Sequence, residues 1–416
     1  MSSDVVNPQT PPVGQKTLPA PQPPATPSLP TTPGGLLSLF RGDLGQVPVF
    51  LTLVVIAIYF QVTTSGLFLS PRNISNLLLQ IATIAMLAVA SVFVLLLGEI
   101  DLSLAAVAYT CGGVMVVLSV RHGWATIPAL LAGLLTGAVI GLVNGFFISF
   151  LRVPSFIVTL AASIAYSGLV LHILLPNTSI ILTDPTLVAL ATDYLPSWLG
   201  IALPVIGVAL YVVGLIVSRV NRQRVGLIVP PLWNLILRIA LVAVIVIVVV
   251  SVLESNLGVP VSTGIVIALI LLFWLILRFT AFGRHVYAVG GNAEATRRAG
   301  INVVGIRLTI FVLASTLAAV GGILEASRTV SGSASIDQSL LLDAIAAAVI
   351  GGVSLFGGRG SVWAVILGSL IIGSLSNGLD LLSQGTDIKF IVEGIVLLIA
   401  VTVDALLRRR SAVTGR

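Results

Sequence analysis

Charge is scarce in this amino-acid sequence. Only 9% of the 416 residues are charged, whereas 57% are hydrophobic, and the mean hydropathy is +1.13. A soluble domain carries about 25% charged residues and needs them to stay in solution. The shortage therefore excludes a soluble globular protein and predicts an all-α polytopic membrane protein.

Cysteine and nucleotide-binding motifs are missing as well. The single cysteine, Cys111, excludes an intrachain disulfide and gives no basis for a thiolate metal site. No G-x-x-x-x-G-K-[ST] phosphate loop is present, and the only Lys-Thr pair, Lys16-Thr17, lies in a Pro-rich segment. No cluster of His, Cys or acidic residues suggests catalysis. We therefore expect no enzymatic activity, no metal and no cofactor, and we expect any ATP to be bound by another protein.

The chain begins with a Pro-rich region. Residues 1–40 hold ten of the 21 prolines, which predicts a disordered cytoplasmic tail. Residues 41–410 form the predicted transmembrane domain, and a short cytoplasmic tail follows at 411–416. The tenth apolar segment of this domain is too short for a straight crossing and is predicted to be a half-helix or re-entrant segment. About twelve segments approach the roughly 20 residues that cross a bilayer, namely 48–65, 74–97, 102–120, 126–150, 155–175, 201–218, 236–253, 262–278, 307–326, 343–356, 361–382 and 388–407.

The placement of the basic residues predicts the orientation. The net charge is +6, but these residues flank the apolar segments and form no separate face, so no nucleic-acid partner is expected. With twelve crossings, 17 of the 21 basic residues fall on the side of both termini, and that side is the cytoplasm. Both termini and the loop at 278–307 are therefore predicted to be cytoplasmic. The loop at 176–200 has two aspartates and no basic residue, and it is predicted to be external.

The loop at 278–307 has more local structure than a simple connection requires. Glycines such as Gly290 and Gly291 predict tight turns in its first part. Its second part has the pattern of a short helix, with Asn292 as N-cap and Gly300 as terminator. A short polar helix beneath the membrane suits the binding of a partner subunit, and an ordinary positive-inside loop is the alternative. The residues assigned to this predicted docking segment are Gly283, Arg284, Tyr287, Gly290, Gly291, Asn292, Glu294, Ala295, Arg297, Arg298 and Gly300.

Three blocks of the sequence resemble the bacterial ABC importer permeases for ribose, xylose and related sugars. The loop resembles the family motif F-G-R-x-x-Y-A-x-G-G-N-x-x-A-x-R-x-x-G-I, although the adjacent Arg297 and Arg298 leave its basic position ambiguous by one residue. Residues 342–361 resemble L-D-A-I-A-A…G-G-T-S-L-x-G-G-x-G-S. Residues 100–103 resemble the start of I-D-L-S-V-G, with Leu-Ala in place of Val-Gly at 104–105.

The resemblance covers about residues 70–404 and is greatest to the xylose-type members. Glu99 stands where ribose-type members have glycine, and the additional hydrophobic pair at about 201–253 is a xylose-type feature. The resemblance implies the ABC importer permease fold in a multi-pass plasma-membrane protein. It further implies a cytoplasmic ATPase docked on the loop, an extracytoplasmic sugar-binding protein, a permease homodimer, and a pentose such as xylose as the substrate.

Polar residues inside the apolar segments are candidates for the translocation path. Glu99 and Asp101 close the second segment, where acidic residues are costly unless they line a cavity or have a partner. The alternative is a tight cytoplasmic turn with partly solvated acids, and any single polar residue could instead join helices. The candidate path residues are Glu99, Asp101, Ser103, Asn144, Asp343 and Asn377.

A gradient-driven secondary transporter of twelve spans, carrying a small polar solute, is the alternative function. Such a protein needs ionisable residues in mid-span to couple transport to protons or sodium, whereas the candidate acids here lie near the ends of segments. Dependence of transport on an ATPase and a binding protein, or on a gradient alone, separates the two hypotheses.

Overall fold

The computed structural model describes residues 47–226, 229 and 231–413, so the tail predicted at 1–40 lies outside the described residues. The described residues form fifteen helices and two short strands. The strands are β1 (Ser179–Ile181) and β2 (Ser331–Ser333). The helices are α1 (Val47–Thr63), α2 (Pro71–Leu96), α3 (Leu104–Val120), α4 (Thr126–Ser149), α5 (Ser155–Leu174), α6 (Pro185–Thr192), α7 (Ser197–Arg224), α8 (Leu232–Glu254), α9 (Val261–Phe279), α10 (Ala281–Gly291), α11 (Ala293–Arg298), α12 (Val303–Arg328), α13 (Ser339–Ile350), α14 (Ala364–Leu381) and α15 (Thr386–Val413).

Each of the twelve predicted spans coincides with one helix, and the all-α polytopic fold is confirmed. Among the described residues, eight helices are long and apolar enough to cross a membrane, and α1, α3 and α13 are apolar but shorter. The predicted short tenth span is α13, which ends at Ile350 and is followed by the irregular segment 351–363. The additional helices α6, α10 and α11 lie in the loops between predicted spans.

The interior of the bundle is built around α2. Every residue from Ile81 to Leu97 is buried, because α2 is apolar on all sides and its neighbours surround it. The long helix α12 packs against α2, α3 and α4. A Cβ atom at Gly322 of α12 would overlap the backbone of Ala108, and one at Gly112 would lie 2.6 Å from the Gly322 oxygen. Small residues therefore let α3 and α12 pack backbone to backbone, which is a principal source of association between helices in a bilayer.

Helices α7 and α8 form an apolar hairpin at the edge of the bundle. Gly200 is the only buried residue of α7, and Leu253 is the only buried residue of α8. Most of the apolar surface of this hairpin is therefore not packed against the rest of the described chain. This hairpin is the additional hydrophobic pair predicted at about 201–253.

The loop predicted to be external, 176–200, is folded at one end of the bundle, which we call the β end. There β1 pairs antiparallel with β2, with Ile180 opposite Gly332. Asp184 caps α6 and accepts a hydrogen bond of 2.7 Å from the Thr126 hydroxyl. Slight burial raises the pKa of Asp184, but the Thr126 bond and two backbone N–H bonds lower it more, so the net pKa lies below the usual value. The capping carboxylate is therefore ionised at neutral pH.

Candidate coupling and translocation sites

The predicted docking segment is a pair of short helices at the opposite end of the bundle, which we call the α10 end. Thr280 caps α10 and accepts from the Gly283 N–H, and Asn292 caps α11 and accepts from the Ala295 N–H at 2.9 Å. Gly300, at φ +83°, ends the segment in the left-handed region. The second half of the segment thus has the local structure predicted from the sequence.

The prediction of tight turns at Gly283, Gly290 and Gly291 is wrong. All three glycines lie within α10 and have negative φ angles. Gly283 and Gly290 instead allow close backbone approach. A Cβ at Gly283 would overlap the backbone of Leu277 in α9, and a Cβ at Gly290 would overlap the Leu96 carbonyl group. Glycine is therefore required at these two positions by neighbouring backbone and not by the local dihedral angles.

Gly290 belongs to a set of contacts that we call the glycine junction, formed by Leu96, Gly98, Gly290, Gly357 and Gly358. The Gly358 N–H donates to the Leu96 carbonyl oxygen at 2.9 Å. A Cβ at Gly357 would lie 2.7 Å from the Gly290 oxygen and 2.8 Å from the Gly98 nitrogen. The end of α10, the end of α2 and the segment after α13 thus touch through their backbones.

Tyr287 strengthens the attachment of α10 to the segment after α13. Its hydroxyl group donates to the Gly360 carbonyl oxygen at 2.9 Å, and Val286 and Val289 are buried beside it. Burial raises the pKa of Tyr287 above its ordinary value, so the hydroxyl keeps its proton and remains a donor. Contacts of this kind transmit a displacement of α10 directly to its neighbours.

The other face of the docking segment is open. Glu294 pairs with Arg297 at 3.1 Å and with Arg298 at 3.2 Å, so both basic groups of α11 have an acidic partner in their own helix. Exposed pairs contribute little to stability, but they reduce the net charge of the surface. The exposed residues of the predicted docking segment are Arg284, Gly291, Asn292, Glu294, Ala295, Arg297, Arg298 and Gly300.

The candidate path residue Asp101 lies in the break between α2 and α3, at residues 97–103. Its Oδ1 atom accepts from the Ser103 N–H at 2.8 Å and from the Ser103 hydroxyl at 2.6 Å. Asn144 donates to the Ser103 hydroxyl oxygen at 3.2 Å and accepts from the Tyr166 hydroxyl at 2.8 Å. We call these four residues the Asp101 cluster. The Oδ2 atom of Asp101 is buried and has no hydrogen-bond partner among the described residues.

Side chains of α5 satisfy the backbone of the break. Ser155 accepts from the Ile100 N–H at 3.3 Å, and Thr159 accepts from the Leu102 N–H at 3.0 Å. Non-helical backbone at membrane depth is tolerated only where such partners exist. The side chains of α5 thus support the irregular backbone of the break, in which Asp101 and Ser103 are buried whereas Gly98 and Ile100 are exposed.

Glu99 has a different partner from its neighbour Asp101. It pairs with Arg307 at 3.1 Å, and the side chains are 16% and 26% exposed. Arg307 lies in the second turn of α12, directly after the docking segment. The pair gives the α2–α3 break a second connection to the α10 end.

The remaining candidate path residues lie apart from the Asp101 cluster. Asn377 of α14 accepts from Asn73 at 2.8 Å and donates to Gln80 at 3.2 Å, which joins α14 to α2 toward the β end. Asp343 is buried in α13. The six predicted path residues thus do not come together in one site.

Glu325, a buried carboxylate near the end of α12, was not among the residues predicted from the sequence. Arg328 binds it through two nitrogens at 2.7 and 3.1 Å, and the Thr83 hydroxyl donates to it at 3.0 Å. The three-residue spacing of Glu325 and Arg328 on one helix was visible in the sequence and could have indicated this ion pair. The contact with Thr83 could not be predicted in this way, because the two residues are 242 positions apart. Glu325 and Tyr109 line a cavity of about 230 Å³ with hydroxyl groups from the β2 segment, including Ser331. We call it the Glu325 cavity.

A bundle of apolar helices with a supported helix break and a polar cavity at one end has the architecture expected of a membrane permease. The chain belongs to the family of permease components of the branched-chain amino acid transport system, whose model matches residues 73–401. It is thus a transport subunit and not an enzyme.

Similar proteins narrow the class to the ABC sugar permeases of the ribose and xylose type. The chain is 37% identical over 380 residues to the xylose transport system permease of Escherichia coli, covering 91% of this chain and 96% of that protein. It is 32% identical to the ribose import permease of Bacillus subtilis, covering 90% of this chain and 96% of that protein. It is 31% identical to the L-arabinose ABC transporter permease of Azospirillum brasilense, covering 94% of each. The predicted family is confirmed. No solved structure matches the chain.

Proposed function

We propose that this chain is the permease subunit of an ATP-binding cassette importer for xylose or a related pentose. A separate ATPase docks on α10 and α11 and supplies the energy, and an extracytoplasmic sugar-binding protein delivers the sugar. The permease acts as a homodimer, with both termini and the α10 end in the cytoplasm. The glycine junction is the observation that carries this proposal, because it connects an exposed, capped segment to an internal helix break.

The junction supplies the mechanical connection that a permease without its own ATPase needs. Force applied to α11 reaches Gly290 at the adjoining end of α10, where backbone touches the end of α2 and the segment between α13 and α14. Packed backbone has no flexible side chain to absorb the displacement. Movement of the docking segment therefore moves the α2–α3 break, and the Asp101 cluster moves with it.

The polar groups suit an uncharged sugar. The Glu325 cavity offers a carboxylate, a phenol and several hydroxyl groups, which both donate and accept hydrogen bonds. It lies at the β end, where a binding protein would release its cargo. The carboxylate is held by Arg328 and Thr83, so its orientation is fixed before the sugar arrives. The Asp101 cluster then lies further along the path, near the α10 end.

Substitution of Asp101 tests the role of the break. In Asp101→Ala, Ser103 loses its acceptor and Asn144 loses its support, so we expect sugar uptake to fall at least about tenfold, the equivalent of roughly 1.4 kcal/mol. Membrane content of the protein should stay close to wild type. Asp101→Asn retains an acceptor for Ser103 and should keep more uptake than the alanine variant. Wild-type uptake by Asp101→Ala would remove this residue from the mechanism.

Substitution of Ala295 tests the docking surface. Ala295 is exposed on α11, so Ala295→Trp should leave the bundle folded, reduce co-purification of the ATPase and lower ATP-dependent uptake in proteoliposomes at least about tenfold. Thr183→Trp, at an exposed position of the β end, is the matched control and should retain the ATPase.

The same proteoliposomes separate the two modes of energy supply. Uptake that needs ATP, the ATPase and the binding protein supports the importer. Uptake that continues without the ATPase and collapses when the ion gradient is dissipated would identify a secondary transporter, the function for which buried carboxylates such as Asp101 and Glu325 would carry the coupling ion.

A further inference from the structure

A second cavity lies at the α10 end, between the end of α4, the starts of α5 and α12, and α11. Its volume is about 150 Å³, and we call it the basic cavity. Its lining includes Ser149, Arg152, Arg297 and Arg307, with Glu99 as the acidic group. The proposed transport of an uncharged sugar makes no use of this cavity.

Positive charge exceeds negative charge around the basic cavity. Arg307 is paired with Glu99 in the cavity wall, and Arg297 is paired with Glu294 on its own helix. Arg152 makes no ion pair with any residue that the structure describes. One exposed guanidinium group in the lining of the cavity is thus left without an acidic partner. Guanidinium groups bind phosphate and carboxylate groups through parallel hydrogen bonds.

Two polar groups in the lining of the basic cavity also lack hydrogen-bond partners among the described residues. The Ser149 side chain is 2% exposed, and its hydroxyl group has no partner among the described residues. The Nε atom of Arg307 is buried and likewise has no acceptor there. Buried polar groups in proteins nearly always have a partner, and an unsatisfied group often marks the position of a water or an ion. Two such donors in one cavity indicate that an acceptor binds between them.

The first turn of α12 adds to the positive electrostatic potential in the basic cavity. Val303 and Val304 line the cavity, and they are the first two residues of this 26-residue helix. Their N–H groups have no acceptor within the helix. The N-terminus of a long helix carries a partial positive charge and binds anions. Three independent features therefore converge on the basic cavity: an arginine without a counter-ion, unsatisfied donors and a helix N-terminus.

We propose that the basic cavity binds a phosphate-type anion, which is either the headgroup of an anionic phospholipid or free inorganic phosphate. Basic pockets between membrane helices are known to bind phospholipid headgroups. The bound anion contacts Arg152, the Ser149 hydroxyl and Arg307 Nε. Arg297 of α11 lines the same cavity, so the anion connects the docking segment to the α4–α5 turn and to α12. This proposal does not depend on the identity of the sugar.

The test uses the full-length protein in two binding experiments. Native mass spectrometry in the presence of phosphatidylglycerol or phosphatidylcholine measures retained lipid, and isothermal titration calorimetry with inorganic phosphate measures the free anion. Arg152→Gln and Ser149→Ala remove one donor each without breaking an ion pair. We expect each to weaken binding of the anionic ligand at least about tenfold, with no effect on phosphatidylcholine.

Arg222→Gln is the control, because it removes the same charge from an exposed position at the end of α7. It should bind the anionic ligand like the wild type. Retention of phosphatidylglycerol alone supports the phospholipid headgroup, and binding of phosphate alone supports the free anion. Absence of both, or an equal loss in Arg222→Gln and Arg152→Gln, would show that the cavity binds no specific anion.

Discussion

Replacement of Gly290 by alanine should nearly abolish coupled sugar uptake. The new Cβ atom would overlap the Leu96 carbonyl group and approach the Gly358 nitrogen to 2.6 Å. Because all these neighbours are backbone atoms, α10 must shift as a body to make room. In enzymes a misplacement of about 1 Å can reduce the rate by roughly 100-fold, and by analogy we expect uptake to fall by a similar factor.

Gly291 is the matched control for Gly290. A Cβ at this adjacent position meets no atom within 4 Å, so Gly291→Ala changes the same helix by the same methyl group without a clash. The two variants are compared for membrane content, ATPase co-purification and ATP-dependent uptake. Equal uptake by the two variants would show that the glycine junction does not transmit force.

Replacement of Gly322 by alanine should substantially lower the stability of the helix bundle. Its Cβ atom would overlap the backbone of Ala108 and separate α12 from α3. Forcing additional volume into a packed interior costs about 1–3 kcal/mol, so we expect a lower thermal unfolding temperature and less protein in the membrane.

Gly321→Ala provides the comparison for Gly322→Ala. The nearest atoms to a Cβ at Gly321 are 3.4 Å away and belong to the side chains of Leu87 and Met86. These side chains can adjust, so this variant should unfold near the wild-type temperature. If both variants unfolded at the same temperature, close packing of α3 on α12 would not be a source of stability.

Hydropathy was sufficient to predict the twelve long or apolar helices, but not the short helices α6 and α10 between them. Each of the twelve predicted spans coincides with a helix, because the length of an apolar segment is a local property. The caps of α11 were predicted for the same reason: Asn292 and Gly300 act on backbone within a few residues of themselves.

The lateral arrangement of the helices was beyond sequence reasoning. Gly290 was assigned to a turn, since the sequence does not reveal that Leu96 and Gly358 lie against it. Asn377 was grouped with Asp101, but a hydrogen bond to Asn73, 304 positions away, holds it elsewhere. A single sequence contains the propensity of each segment but not the identity of its distant neighbours.

The edge position of α7 and α8 makes tolerance to substitution uneven along the chain. Their 51 residues contribute only Gly200 and Leu253 to the buried interior. Exchange of one aliphatic side chain for another on this hairpin therefore disturbs few contacts within the described chain. The same exchange in α2, where every position from Ile81 to Leu97 is enclosed by protein, disturbs a fixed shape. The α7–α8 hairpin and α2 are both strongly hydrophobic, but they are subject to different constraints. The hairpin needs only to remain hydrophobic, whereas α2 must also fit the shape of its neighbours.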